Sequence, residues 1–226
     1  MATETIFTMD TSSIKYGAGA TREVGFEMRR LGTTRVMVVT DPNLRDSEAV
    51  KTTLDALRHD GIDAVLFDRV RVEPTDASFR EAIDAAVEGA FDGYVAVGGG
   101  STIDTAKAAN LYATYPADLL AYVNAPIGRA EPVPGPLKPL IAIPTTAGTG
   151  SETTGVAIFD YLEMHAKTGI AHRALRPVMG IVDPDNTRTM PKMVAASSGF
   201  DVLSHAIESL TALPFHERPA PDGLGT

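Results

Sequence analysis

Between about residue 35 and residue 113, short apolar runs alternate with stretches of helical period. Val36-Met37-Val38-Val39 precedes a helix expected near 47–59, and Ala64-Val65-Leu66-Phe67 precedes one near 76–89. Tyr94-Val95-Ala96-Val97 precedes a third, from 101 to about 113. In the second helix Phe79, Ile83, Ala86 and Val87 recur on one face, while Arg80, Asp84 and Glu88 take the other. Continuous apolar strands separated by amphipathic helices are what a parallel sheet covered on both faces requires. The pattern predicts an α/β fold, a doubly wound parallel-sheet nucleotide-binding domain.

Downstream the pattern changes. Prolines crowd residues 125–144, which reads as a surface excursion. Two β-like runs follow, at 156–161 and 178–182, with a hairpin near His165 and His172, both expected at the surface. Asp183-Pro184-Asp185 then breaks the pattern. The boundary falls there, giving a dinucleotide-binding domain over 1–185 and the start of an all-helical domain over 186–226. Pro191 suits the first turn of a helix running to about Leu213, ended before Pro214. On that helix Phe200, Leu203, Ile207 and Leu210 form an apolar stripe, with Asp201, His205 and Glu208 beside it and Val202 and Ala206 flanking the other side. A polar row between apolar ones reads as the floor of a cleft.

Composition narrows the classes. The 226 residues are 44% hydrophobic, enough to bury an α/β core. There is no cysteine, which excludes a disulfide framework, cysteine-ligated metals and a thiol nucleophile. Lys plus Arg number 20 against 29 Asp plus Glu, a net charge of −9 that argues against nucleic-acid binding. No apolar run reaches the ~20 residues of a membrane span. The N-terminal Met1-Ala2-Thr3-Glu4 has neither a signal core nor a transit pattern, so an unprocessed cytoplasmic protein is expected.

Three constellations carry chemistry. The first is Gly98-Gly99-Gly100-Ser101 with Asp104 and Lys107, a strand passing through three glycines into a helix. Glycines let backbone N–H groups approach an anion, and a helix N-terminus adds partial positive charge, so a phosphate belongs here. The plainer alternative is a helix capped by Ser101 with Asp104 as its box partner. Asp41, just past the strand ending Val39-Thr40, could accept a ribose hydroxyl and would repel a 2′-phosphate. It equally suits an Asp-Pro turn. The second constellation, residues 144–154 with Thr145, Thr146 and Thr154, crowds short hydroxyls into a loop that could wrap a phosphate or a nicotinamide. A bland Thr/Gly turn is the other reading. The third is Asp201 and His205, one turn apart, whose oxygen and nitrogen donors suit zinc or iron(II) if they converge.

In order and spacing these motifs, with Asp183-Pro184 and Gly199-Phe200-Asp201, resemble the iron-containing (group III) alcohol dehydrogenase family over essentially the whole chain. The resemblance implies a dehydroquinate synthase-like fold with the glycine turn on the pyrophosphate of NAD and Asp41 on the adenosine ribose. Thr145, Thr146 and Thr154 would face the nicotinamide side, and Lys167 would hold a ribose hydroxyl. Asp201 and His205 match the first two of four ligands to a divalent metal, Fe2+ or Zn2+. The two remaining histidines belong to a downstream helical domain, so half a metal site is expected here. Within the family, Arg71-Val72-Glu73-Pro74-Thr75, residues 104–112, 134–139 and 198–214 look like the hydroxyacid-oxoacid transhydrogenases. That subgroup oxidises 4-hydroxybutyrate to succinate semialdehyde while reducing 2-oxoglutarate to 2-hydroxyglutarate on a nicotinamide that stays bound.

The expected partners are therefore small hydroxyacid and oxoacid substrates, with homo-oligomerisation left open. Two other readings stand beside this one. A nucleotide-binding module would keep Asp41 and the glycine turn without metal or turnover. A metal enzyme of the dehydroquinate-synthase or glycerol-dehydrogenase kind would share the glycine turn and an acidic first ligand.

Overall fold

The computed structural model describes residues 11–218. Met1-Ala2-Thr3-Glu4, on which the expectation of an unprocessed chain rests, and residues 219–226 lie outside the described residues.

Six parallel strands form the central sheet: β1 (Ser13–Tyr16), β2 (Arg35–Val39), β3 (Asp63–Phe67), β4 (Gly93–Gly98), β5 (Leu140–Pro144) and β8 (Met179–Val182). Their order is β1-β8-β5-β4-β2-β3. An antiparallel hairpin, β6 (Val156–Tyr161) with β7 (Ala166–Ala171), stands apart from the sheet.

Strand alternation separates two apolar layers. Val36 and Val38, Val95 and Val97, and Ile141 and Ile143 point to one face, where α1 (Val24–Arg30) and α2 (Glu48–His59) cover them with Val24, Met28, Val50 and Leu57. Met37 and Val39, Tyr94 and Ala96, and Leu140 and Ala142 point to the other. There α3 (Asp76–Gly89) and α4 (Gly100–Thr114) lay down Ala82, Ala86, Ala106 and Ala109, small residues that let the helices sit close to the sheet, together with the larger Ile103. Because both faces are covered, the central strands read as unbroken apolar runs.

Local signals start the predicted helices where expected. The Ser47 hydroxyl accepts from the Val50 N–H at the head of α2, and Thr75 and Ser78 form a reciprocal capping box at the head of α3. The last helix, α5 (Lys192–Thr211), begins one residue later than expected, with Pro191 outside it as the N-cap.

The proline-rich stretch differs from its reading as a surface excursion. Its end, Leu140–Pro144, is a wholly buried strand between β4 and β8. Its approach is also packed: Leu119, Tyr122, Val123 and Val133 cover the outer side of α4 together with Phe159 and Ile170 of the hairpin. As a result α4 is buried from Thr102 to Tyr112 on all sides.

Candidate functional site

The chain runs from β2 outward to β3, then returns to place β4 on the other side of β2. Connections leaving β2 and β4 therefore diverge, and a crevice opens at the carboxyl ends of these two strands, the place where doubly wound sheets bind ligands. Asp41 follows β2 and Gly98-Gly99-Gly100 follow β4, so the topology brings both to that crevice.

Close approach leaves little room for a side chain at these glycines. A Cβ on Gly98 would meet the Thr102 hydroxyl at 2.4 Å, and one on Gly100 would meet Thr149 at 3.1 Å. Gly99 is the N-cap of α4 and supplies no side-chain acceptor, so the first N–H groups of the helix face the crevice without a cap. Ser101 does not cap the helix. Its Oγ accepts from the Glu73 N–H at 3.2 Å, which leaves its own proton free to donate. Glu73 itself holds a left-handed backbone, φ 55°. Asp104 is likewise no box partner.

Asp41 forms the Asp-Pro turn and stands at the edge of a cleft. Its Oδ1 accepts from the Asn43 N–H at 2.8 Å, and the cleft measures about 440 Å³. Gly99, Gly100, Ser101, Thr145 and Thr146 line the same cleft. A second cleft of about 750 Å³ continues past Gly100, Ser101 and Thr149, which border both. It gathers Asp104, Thr154, Lys167, Asp201 and His205. All the predicted site residues thus line one or the other of two adjoining clefts, except Gly98, the end of β4.

Several lining residues escaped the sequence reading. Thr149 and Ser151 belong to the hydroxyl-rich loop that was singled out, so their signal was present. Val72 and Ser198 lie in stretches singled out only for the resemblance, and Asn186 joins through tertiary structure alone. His165 sits exposed in the hairpin turn as expected, whereas His172 is half-buried and its Nδ1 accepts from the Ala174 N–H.

Behind the cleft wall lies a buried ion pair. Lys107 is fully buried, and its ammonium donates to Asp104 Oδ1 at 3.3 Å, Thr154 Oγ1 at 3.3 Å and the Val156 carbonyl at 2.7 Å. The other Asp104 oxygen accepts from the Ile158 N–H at 3.0 Å. Burial raises the Asp104 carboxyl and lowers the Lys107 ammonium, each against the opposing pull of the other's charge.

On α5 the His205 Nε2 and Asp201 Oδ1 are 4.0 Å apart. Two donors on one tetrahedral zinc stand about 3.4 Å apart, from metal–ligand lengths near 2.1 Å, so a small side-chain adjustment brings this pair onto one ion. The donor chemistry and spacing fit half of such a site. No group of three or more His, Asp or Glu converges among the described residues, and His216 lies beside Glu217, away from the pair.

Fold and crevice define the class: a doubly wound α/β protein with a ligand cleft at its switch point. The chain belongs to the iron-containing alcohol dehydrogenase family, whose model matches residues 11–184. It is 58% identical over 221 residues to the hydroxyacid-oxoacid transhydrogenase of Bos taurus, covering 97% of this chain and 47% of that protein. The probable enzyme of that name from Dictyostelium discoideum is 52% identical over 233 residues, covering 97% and 43%. Among solved structures, a 1,3-propanediol oxidoreductase superposes with a TM-score of 0.82 at 32% identity, over 90% of this chain and 52% of that one. Sulfoacetaldehyde reductase from Bifidobacterium kashiwanohense, solved in complex with NAD+, gives 0.80 at 29% identity, over 91% and 53%. The chain thus spans about half the length of the relatives it matches. One expectation is overturned: the similar transhydrogenases are mitochondrial by name, against the cytoplasmic placement drawn from the N-terminal residues.

Proposed function

We propose that this chain is the dinucleotide-binding part, with the first metal-ligating helix, of a hydroxyacid-oxoacid transhydrogenase. The observation that supports this most is the pair of adjoining clefts, sharing Gly100 and Ser101, that Asp41, the glycine turn, the threonine loop, Lys167 and the Asp201/His205 pair line. The 58% identity to the bovine enzyme supports the substrate class, a 4-hydroxyacid and a 2-oxoacid. Residues 1–185 form the dinucleotide unit and 186–226 open the helical, metal-binding one.

In this reading the uncapped N-terminus of α4 receives the diphosphate of NAD, and the Ser101 hydroxyl donates to it. Asp41 accepts an adenosine ribose hydroxyl and rejects a 2′-phosphate by charge. Thr145, Thr146 and Thr154 line the path to the nicotinamide, and Lys167 hydrogen-bonds a ribose hydroxyl. Asp201 and His205 hold two coordination positions of Fe2+ or Zn2+. When bound, the metal polarises the alcohol or carbonyl oxygen and the nicotinamide carries the hydride. The chain's own share is to align the dinucleotide along the crevice and to aim these two donors into its open end.

The lack of a third ligand among the described residues favours a second reading, a dinucleotide-binding module without turnover. Calorimetric titration with NAD+ and NADP+, together with metal analysis of the purified chain, separates the two. Saturable NAD+ binding that Asp41→Ala weakens, with NADP+ gaining relative to NAD+, supports the dinucleotide role. Retained iron or zinc that is lost in His205→Ala supports the metal role, whereas NAD+ binding without metal leaves the module. Absence of NAD+ binding sinks both.

A further inference from the structure

A lysine in the middle of a helix buried on every side is an expensive choice, because an unpaired ammonium costs far more to bury than the apolar residue that would fill the space. Position 107 nonetheless carries one, with all three of its donors satisfied. Its partners are not random. Asp104 is on the cleft wall, about one helical turn from the Gly100-Ser101 pair at the head of α4. Thr154 and Val156 also line the cleft, where the threonine loop runs into β6.

Asp104 poses a problem for any anion in the crevice. Its carboxylate is fixed from behind by the Ile158 N–H and lies beside the turn where a diphosphate is expected. Left alone, it would repel that group at short range in a poorly solvated wall. Among the described residues, the cation in contact with it is Lys107. Glu152, which also faces the lysine, adds to the negative charge that this one ammonium balances.

We propose that Lys107 is a positioning residue for the dinucleotide: its buried charge cancels that of Asp104 so that the crevice wall tolerates a diphosphate, while its remaining donors hold the threonine loop in place. The inference rests on the dinucleotide reading above. It makes charge, and not only anchorage, the reason for a lysine at this position.

The test compares an anionic probe, ADP-ribose, with a neutral one, adenosine, by calorimetric titration of the whole chain and of folded variants verified by circular dichroism. Lys107→Met leaves the carboxylate unbalanced and should weaken ADP-ribose about tenfold more than adenosine. Asp104→Asn leaves the cation in excess and should shift the preference the opposite way, toward ADP-ribose. The double variant, neutral at both positions, should return the ratio of the two affinities to within about threefold of the wild type. Because the two single changes break the same contact, a purely structural clamp would lower both ligands in equal proportion in both variants. That result overturns the proposal, as does a shift of the same sign in both. If Lys107→Met does not fold, the direction of the Asp104→Asn shift alone decides. A wild type that binds adenosine and ADP-ribose normally with unchanged ratios in the variants refutes only this inference. A wild type that binds neither refutes the dinucleotide reading beneath it.

Discussion

Asp183, at the end of β8, accepts four hydrogen bonds within a buried pocket. They come from the Gly19 N–H at 3.0 Å, the Thr21 N–H at 3.1 Å, the Thr21 hydroxyl at 2.8 Å and the Asp185 N–H at 3.1 Å. The Thr21 hydroxyl in turn accepts from Asn186, which borders the cleft, so the chain's first turn and the site are tied through one carboxylate. Asp183→Ala leaves Gly19 and Thr21 with three donors that water reaches poorly. At about 1 kcal/mol for each orphaned donor the loss is ~3 kcal/mol. For a chain of this size that corresponds to a fall of roughly 6–12 °C in Tm. Burial alone would push this carboxyl up, but the bonds from Thr21, Gly19 and Asp185 outweigh it and hold it below the ordinary range. A depressed carboxyl contributes stability that is complete above its unfolded value, about 3.9, and is lost as pH falls through the lower folded value. Urea denaturation at pH 7, 5 and 3 should therefore show the gap between wild type and Asp183→Ala unchanged from 7 to 5 and narrowed at 3. A gap under 1 kcal/mol at pH 7, or one that widens on acidification, would refute the reasoning.

Two further outcomes follow from buried and exposed extremes. The Tyr94 hydroxyl is buried on β4 with no hydrogen-bond partner among the described residues, while its ring meets Phe91 edge-on at 6.4 Å. Tyr94→Phe keeps the ring and removes the stranded group, so the urea midpoint should rise by the equivalent of about 1 kcal/mol; a clear loss of stability counts against this account. On α5, Phe200 is 70% exposed and Leu210 86% exposed, with Leu203 and Ile207 between them. Light scattering of the 226-residue chain should show association that grows with concentration and is reduced by Leu203→Lys with Ile207→Lys. A wild type that stays monomeric at millimolar concentration removes that expectation.

What was legible in the sequence follows the strength of local periodicity. β2, β3 and β4 with α2, α3 and α4 carry apolar runs and turn residues that agree with one another, α2 and α3 also have capped starts, and each element lies within a residue or two of its expected place. β5 escaped because Leu140-Ile141-Ala142-Ile143 is flanked by Pro139 and Pro144, and proline density there outweighed a four-residue apolar run. β1 and α1 escaped for another reason. Ser13–Tyr16 is an edge strand with exposed Ile14 and Tyr16, and Val24–Arg30 is only two turns long, so neither carries a repeat long enough to show a period. At the site, the glycine turn and Asp41 were legible because strand-to-helix turns announce themselves by composition. Asn186 was not, since only the return of the chain across the crevice brings it there.

The geometry of α5 sharpens what its pattern means. At about 100° per residue, Val194, Ser197, Ser198, Asp201 and His205 fall on one face of the helix, and Phe200, Leu203, Ile207 and Leu210 fall on the opposite one. The first face borders the clefts, and Ser198, its most enclosed member, packs against Gly148, where a Cβ would meet the serine carbonyl oxygen at 2.5 Å. The second face is turned to solvent. An amphipathic helix ordinarily buries its apolar side on its own domain, whereas this one presents small and polar residues inward and its apolar residues outward. The inward face borders the crevice, with Asp201 and His205 among its lining residues, and the apolar face is exposed among the described residues. Of the row Asp201, His205 and Glu208 read as a cleft floor, Asp201 and His205 border the cleft and Glu208 does not, and the apolar rows beside it do not form the walls of that cleft.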